Sequence, residues 1–150
     1  MNIEYTNGTD ARFIRLCQQL DFFLQKLIGT DKQKTQYARY NVLTDIHDVV
    51  LIIDEGEVVG CGAVKQYDEH TMEMKRVFVK EECRGKGYGR VIVETLESLA
   101  KNKKMTRLVL ETGVLLITAQ KMYKSCGFGI IENYDQYKGL EDSICMSKEI

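Results

Sequence analysis

Residues 84–89 read Arg-Gly-Lys-Gly-Tyr-Gly, and Arg90 follows, so glycines are interleaved with cationic side chains over one short segment. Glycine lets the backbone turn tightly and approach a ligand without interference from a Cβ atom. If a helix begins here, its first N–H groups have no intrahelical partner and carry the positive end of the helix dipole. The segment is therefore suited to binding an anion, although a solvated turn that opens a helix is the alternative.

Two familiar phosphate-binding loops do not match this segment. A Walker loop ends in Gly-Lys followed by Ser or Thr, and that ending is missing here. The dinucleotide fingerprint needs a different glycine spacing, and it follows an early strand of a βαβ unit, whereas the strand predicted here comes late, after several others.

The elements around the loop form a crossover unit. A strand is predicted over 71–80, an amphipathic helix over about 87–102, and a second strand over 107–111. Lysines at 101, 103 and 104 suit the helix end, where cations interact favourably with the dipole. A strand–helix–strand connection of this kind makes the two strands parallel.

The remaining segments predict further strands on both sides of this unit. The 11–28 segment has apolar residues at helical spacing, with Asp10 as a plausible N-cap and Gly29 as a stop. A shorter polar helix is expected over 31–40, and another helix ends near Cys126, with Gly127 at its C-cap. Strands are predicted over 49–53, 58–67, 129–132 and 143–148, with a turn over 54–57.

Together these elements indicate an α/β protein of the α+β type. We expect a mixed, mostly antiparallel sheet of about six to seven strands, with helices on both faces. The 150 residues fit one domain, 1–150, because the sequence lacks proline, repeats and any linker-like tract.

Composition excludes several functional classes. The net charge of −1 gives no general attraction to nucleic acid or anionic lipid, and no run approaches the roughly 18 apolar residues that a membrane span needs. The five cysteines form neither a CxxC pair nor a Cys/His cluster, so we expect free thiols, a cytoplasmic location and no bound metal.

Several motifs at matching separations resemble the GNAT N-acetyltransferase superfamily, and in particular its small bacterial single-domain members. Val79 and residues 84–89 resemble its [QR]-x-x-G-x-[GA] signature, and 73–79 looks like the strand that precedes it. Ala119, Tyr123 and the Gly127–Phe128 pair resemble a later helix and turn. The similarity covers about residue 49 to the C-terminus; the first 45 or so residues correspond to the variable helical pair of the family.

The resemblance implies an acyl-CoA cleft between two splayed parallel strands, with acetyl-CoA as cosubstrate. Pantetheine would pair with the backbone of Val77 and Val79, and the Val77 N–H would stabilise the charge on the thioester carbonyl. Pyrophosphate would lie on the amides of residues 84–90. The implied cofactor-binding residues are Val77, Phe78, Val79, Arg84, Gly85, Lys86, Gly87, Tyr88, Gly89 and Arg90.

Two side chains acquire implied catalytic roles. Tyr123 matches the general acid that protonates the leaving thiolate, and Glu73 matches a glutamate that removes a proton from the amine in some members. The alternatives are a packed helical tyrosine and a strand glutamate that is exposed or paired with Lys75 or Arg76. Glu111 and His47 are weaker candidates for the base; His47 and His70 are expected in polar turns.

We therefore expect direct acetyl transfer, in a ternary complex, to a primary amine of a small molecule. The acceptor pocket would combine the first helix pair, including Tyr37 and Tyr40, with the 134–142 loop. A protein or peptide N-terminus is the alternative acceptor, and a non-catalytic acyl-CoA-binding domain is the alternative function. Dimers are common in the family, so a homodimer is compatible with this assignment. The apolar stretch 114–118 departs from the Asn or Gln that many members have there, and no coenzyme contact is assigned to it.

Overall fold

The computed structural model describes residues 1–29, 43 and 45–150. In chain order the described elements are β1 (Asn2–Thr6), α1 (Ala11–Ile28), β2 (Asp48–Asp54), β3 (Glu57–Gln66), β4 (Thr71–Val79), α2 (Tyr88–Asn102), β5 (Arg107–Gly113), α3 (Ile117–Ser125), β6 (Gly129–Ile131) and β7 (Ser143–Glu149). Short 3₁₀ turns lie at Glu81–Cys83 and Asp135–Tyr137.

The described strands form one seven-stranded sheet in the order β1-β2-β3-β4-β5-β7-β6. The β4–β5 pair is parallel and every other neighbouring pair is antiparallel, so the predicted mixed sheet and its crossover are confirmed. Pairing between β4 and β5 covers only Thr71–Met74 against Arg107–Leu110. Beyond Met74 the two parallel strands separate, and a cleft opens between them.

Alternating side chains of the central strands supply two cores, one on each face of the sheet. On β2, Val49 and Leu51 pack with Phe13 and Leu16 of α1, and they are fully buried. The intervening β2 residues pack on the opposite face with Ile92 and Leu96 of α2 and with Tyr123 of α3. Helices therefore cover both faces, as the period-2 alternation of buried residues requires.

Helix α2 lies unusually close to β3 because β3 carries glycine where the two meet. A Cβ atom added to Gly62 would lie 2.5 Å from Ile92 Cγ2 and 3.0 Å from Leu96 Cδ1. The missing side chain thus sets the depth at which α2 packs, and with it the position of the loop that enters the helix.

The predicted and the described elements do not coincide at the first strand or in the segment after α1. Strand β1 was not predicted, because Asn2–Thr6 is an exposed edge strand: Ile3 is 37% exposed and Tyr5 is 66% exposed, so no apolar face marks it in the sequence. Its place is set by pairing with β2. The polar helix predicted over 31–40, with Tyr37 and Tyr40, lies outside the described residues.

Candidate active site

A bulge in β4 marks the point where the cleft opens. Register between β3 and β4 shifts between Cys61 and Ala63, and Arg76 has a φ of +59°, which is uncommon for a residue other than glycine. The Cys61 thiol donates to the Arg76 carbonyl at 3.3 Å. The bulge leaves Arg76 and Val77 without a register partner on β3 or β5, so the backbone at Val77 borders the cleft.

Two cavities occupy this cleft. The large cavity, about 380 Å³, extends from Val77 along residues 78 and 79 to the glycine loop, and the small cavity, about 150 Å³, lies towards Glu111 and Tyr137. The two cavities adjoin at a junction formed by six residues that line both of them: Leu20, Val77, Leu115, Leu116, Ala119 and Tyr123. Two molecules bound one in each cavity would therefore meet beside Val77 and Tyr123.

The glycine loop has the conformation that the sequence led us to expect. Gly85 and Gly87 have φ values of +81° and +84°, in the left-handed region that glycine adopts at little cost. Gly87 is the N-cap of α2 and offers no side-chain cap, so the first amides of this 15-residue helix keep their donor capacity. Residues Arg84, Gly85, Gly87, Tyr88 and Gly89 all line the large cavity.

The charged and aromatic side chains around the loop are not placed alike. Arg84 stacks with its guanidinium carbon 4.9 Å from the Phe23 ring centroid and donates from Nε to the Val79 carbonyl at 3.1 Å. Arg90 instead reaches α3, where it donates to Ser125 Oγ at 2.8 Å. The lining of the large cavity includes neither Arg90 nor Lys86 among the described residues.

Tyr88 turns its side chain away from the loop. Its hydroxyl donates to Asp54 at the end of β2, and this hydrogen bond, with some burial, raises the pKa of Tyr88 to about 12. The ring is buried in the α2 core, so a ligand in the large cavity would meet the backbone of Tyr88 and not its hydroxyl.

Tyr123 lies on α3 at the junction of the two cavities. Its ring is 7% exposed and packs edge-on against Phe128, with centroids 6.0 Å apart. Burial, and then the nearby charge of Glu111, raise the pKa of Tyr123 well above its usual range, so the hydroxyl stays protonated. A protonated hydroxyl on a residue that lines both cavities has a proton to give to a ligand.

Glu73 and Glu111 differ in their access to the cleft. Glu73 accepts a hydrogen bond from the Tyr134 hydroxyl at 2.5 Å and lies 3.7 Å from Lys75 Nζ, and it does not line the described wall of either cavity. The ion pair with Lys75 is one of the two pairings considered for Glu73 from the sequence; Arg76, the other possible partner, instead binds Asp21 at 2.9 Å.

Glu111 lines the small cavity at the point where β5 has separated from β4. Burial raises the pKa of Glu111 to about 7; the negative charge of Glu73 acts in the same direction, while the Ser143 hydrogen bond and the charge of Lys75 oppose it. A carboxyl with this pKa gains and loses its proton near neutrality, which is what a general base needs.

The two histidines line neither cavity, whereas the 134–142 loop contributes to the small one. His47 and His70 are exposed and lie in polar connections. From the 134–142 loop, Tyr137 and Asp142 line the small cavity, while Tyr134 holds Glu73. The described cysteines are free thiols, and the described residues contain no group of three or more His, Cys, Asp or Glu side chains placed to hold a metal ion.

The apolar stretch 114–118 is the part of the site that sequence reasoning missed. Leu115 and Leu116 lie at the junction of the cavities, and Ile117 and Thr118 line the large one. Gln120 Nε2 fixes the stretch by donating to the Gly113 and Val114 carbonyls at 2.8 and 3.1 Å. The apolar run following a strand was the available signal.

Comparison with known proteins identifies this arrangement. The model of the acetyltransferase (GNAT) family matches residues 15–128, more than half of the chain. The chain belongs to the GNAT acetyltransferase family. Members of this family transfer an acetyl group from acetyl-CoA to an amine, so the chain is an N-acetyltransferase, and the resemblance predicted from the motifs is confirmed.

Individual relatives agree with this membership. An IAA acetyltransferase of Azospirillum brasilense is 33% identical over 116 residues, which cover 77% of this chain and 75% of that protein. The crystal structure of a Klebsiella pneumoniae protein assigned as an acyl-CoA N-acyltransferase has a TM-score of 0.81 at 29% identity, covering 99% of this chain and 96% of that one.

A GNAT acetyltransferase of Elizabethkingia anophelis, solved with acetyl-CoA bound, shares the fold with a TM-score of 0.71 at 22% identity, over 99% of this chain and 97% of that one. None of the described helices is both long and apolar enough to cross a membrane.

Proposed function

We propose that this GNAT enzyme transfers the acetyl group of acetyl-CoA directly to a primary amine of a small molecule, within a ternary complex and in one domain, 1–150. The observation that carries the proposal is the meeting of two cavities at Val77 and Tyr123. One cavity can hold the acyl donor and the other the amine, so the reacting atoms need no covalent enzyme intermediate to come together.

The large cavity suits the acyl-CoA. Pantetheine would run beside Val77, Phe78 and Val79, at the strand edge that β5 leaves unpaired. Pyrophosphate would lie on the amides of residues 84–90, where the dipole of α2 favours negative charge. Arg84 adds a cation at this end, stacked on Phe23.

The transfer step assigns one role to each group at the junction. As the amine nitrogen bonds to the thioester carbonyl carbon, the Val77 N–H stabilises the negative charge that develops on the oxygen. Glu111 accepts a proton from the amine nitrogen, directly or through water. When the carbon–sulfur bond breaks, the Tyr123 hydroxyl gives its proton to the departing thiolate, and the products are an amide and CoA.

Glu111 is preferred here to Glu73 because it lines the small cavity, whereas Glu73 is occupied by Tyr134 and Lys75. Glu73 then has a positioning role between β4 and the 134–142 loop. Glu73 remains the alternative base.

The free cysteines are consistent with an enzyme that works in the reducing cytoplasm.

The acyl-CoA assignment is tested by exchanging one loop glycine. Gly87→Ala meets no atom within 4 Å but forces alanine to a φ of +84°, a strain of about 1–2 kcal/mol that the loop relieves by moving its amides. We expect acetyl-CoA to raise the melting temperature of the wild type, and to raise that of Gly87→Ala by less than half as much at the same concentration.

Gly56→Ala is the matched control, because Gly56 has a φ of +79°, equally open surroundings and a place in the β2–β3 turn. It should lose a similar amount of unliganded stability and keep the full acetyl-CoA shift. Equal acetyl-CoA shifts in the two variants, or no shift in the wild type, would contradict the assignment.

A further inference from the structure

The small cavity has a mixed wall, in which apolar and polar surfaces have nearly equal shares. A cavity of roughly 150 Å³ with apolar walls is large enough to hold benzene, so a compact hydrocarbon group fits the volume found here, about 150 Å³. Seven apolar residues contribute to the lining: Leu20, Leu24, Met74, Val77, Leu115, Leu116 and Ala119. These residues provide a surface on which a small hydrocarbon group next to the amine can pack.

One part of the lining of the small cavity comes from a segment held by hydrogen bonds. Tyr137 and Asp142 come from the segment between β6 and β7, which Asn133 gathers by donating from Nδ2 to the carbonyls of Tyr137, Leu140 and Ser143 at 3.1–3.2 Å. Hydrogen bonds within this segment therefore hold one part of the cavity lining in place.

The charges around the small cavity do not favour an anionic acceptor. Arg76 and Lys75 are its cations, and each already faces a protein carboxylate: Asp21 at 2.9 Å from Arg76 and Glu73 at 3.7 Å from Lys75. The cavity lining also contains the carboxyl groups of Glu111 and Asp142. Each cation thus has a carboxylate partner and the lining holds two further carboxyl groups, so a substrate carboxylate would have to compete with Asp21 and Glu73.

We infer that the acceptor is a compact, apolar primary amine, of the alkylamine or arylalkylamine class, with no carboxylate beside its amino group. The inference rests on the proposed function, because it places the acceptor in the small cavity. The ammonium form of the amine is attracted by the carboxyl groups of Glu111 and Asp142, and its hydrocarbon part packs against the apolar residues of the cavity lining.

The test compares pairs of compounds that differ only by a carboxylate: phenethylamine with phenylalanine, and isoamylamine with leucine. A tripeptide that begins with phenylalanine represents peptide acceptors. CoA release by the wild-type enzyme is followed with a thiol reagent, and acceptor binding in the presence of CoA is followed by calorimetry. We expect each amine to exceed its amino acid in kcat/KM by about tenfold or more, and to exceed the tripeptide as well.

Equal or faster turnover of the amino acids or the tripeptide would overturn the inference and leave the proposed acetyl transfer standing. If no compound releases CoA, the calorimetric arm still decides, since absence of amine binding to the CoA complex also overturns it. Failure of acetyl-CoA itself to bind would count against the proposed function instead.

A variant tests the charge argument directly. Asp21→Asn keeps the size of the partner of Arg76 but removes its charge, so Arg76 becomes more attractive to a substrate carboxylate. The ratio of amine to amino-acid kcat/KM should fall at least about threefold. Asp48→Asn is the control, because Asp48 pairs with Lys103 at 3.6 Å and neither residue lines a cavity. An Asp21→Asn ratio equal to that of this control overturns the inference.

Discussion

Burial raises the pKa values of both Glu111 and Tyr123, but it suits them to different roles in the proposed reaction. Removal from water disfavours the charged form of each group, so the pKa values of both rise. For the tyrosine this preserves a proton to donate, whereas for the glutamate it brings the pKa close to neutrality. The small cavity, which both residues line, therefore has both an acid and a base in its wall.

The pH profile separates Glu111 from Glu73. Because Glu111 must be ionised to accept a proton, log kcat/KM of the wild type should rise with pH and show an inflection near pH 7. Deprotonation of the amine substrate should produce a separate rise at higher pH. Glu111→Gln should lack that inflection and lose about 10²-fold or more in kcat/KM. Glu73→Gln should retain it. Loss of the inflection in Glu73→Gln alone would instead identify Glu73 as the base.

The same group makes stability depend on pH. The folded-state pKa of Glu111, about 7, lies above its ordinary value of 4.5, so between these values the folded protein holds a proton that the unfolded chain has released. The free energy of unfolding therefore falls as pH rises through this window. Urea unfolding at several pH values should show a smaller fall in Glu111→Gln than in the wild type.

At the scale of elements, the packing of α2 on β3 sets the position of the glycine loop. Gly62→Ala would place its Cβ 2.5 Å from Ile92, so α2 must shift, at a cost of about 1–3 kcal/mol in unfolding free energy. Because the loop enters α2, acetyl-CoA should also stabilise this variant less than it stabilises the wild type.

Gly129→Ala provides the comparison, since a Cβ there meets no atom within 4 Å and the strand conformation suits alanine. Denaturant unfolding should leave that variant within about 0.5 kcal/mol of the wild type. If Gly62→Ala were equally neutral, the close approach of helix and strand would not be what positions the loop.

The elements also show how far sequence reasoning extends. Helix α1 has the predicted bounds, Ala11–Ile28, because strong apolar periodicity, the Asp10 cap and Gly29 act together. The bulge at Arg76 had no signal in the sequence, since its φ of +59° depends on tertiary contacts. Nor did the sequence indicate that Glu111 would line the cavity and Glu73 would bind Tyr134, because that depends on where β4 and β5 separate.

At the scale of the whole molecule, the separation of β4 from β5 creates the site. The sheet is continuous from β1 to β6, yet β4 and β5 pair over only four residues before they separate. Helix α1 supplies Leu20 and α3 supplies Tyr123 from opposite faces of this opening. Both cavities are consequences of that separation.

Steady-state acetyl transfer to phenethylamine, measured for the wild type and for Tyr123→Phe, tests the central claim most directly. The wild type should release CoA only when amine is present, with equimolar acetylated amine formed. Tyr123→Phe keeps the ring that packs on Phe128, so acetyl-CoA should still raise its melting temperature fully, while kcat falls by about 10²-fold or more. Amine-independent CoA release in the wild type, or full activity in Tyr123→Phe, would contradict acetyl transfer at the junction of the two cavities.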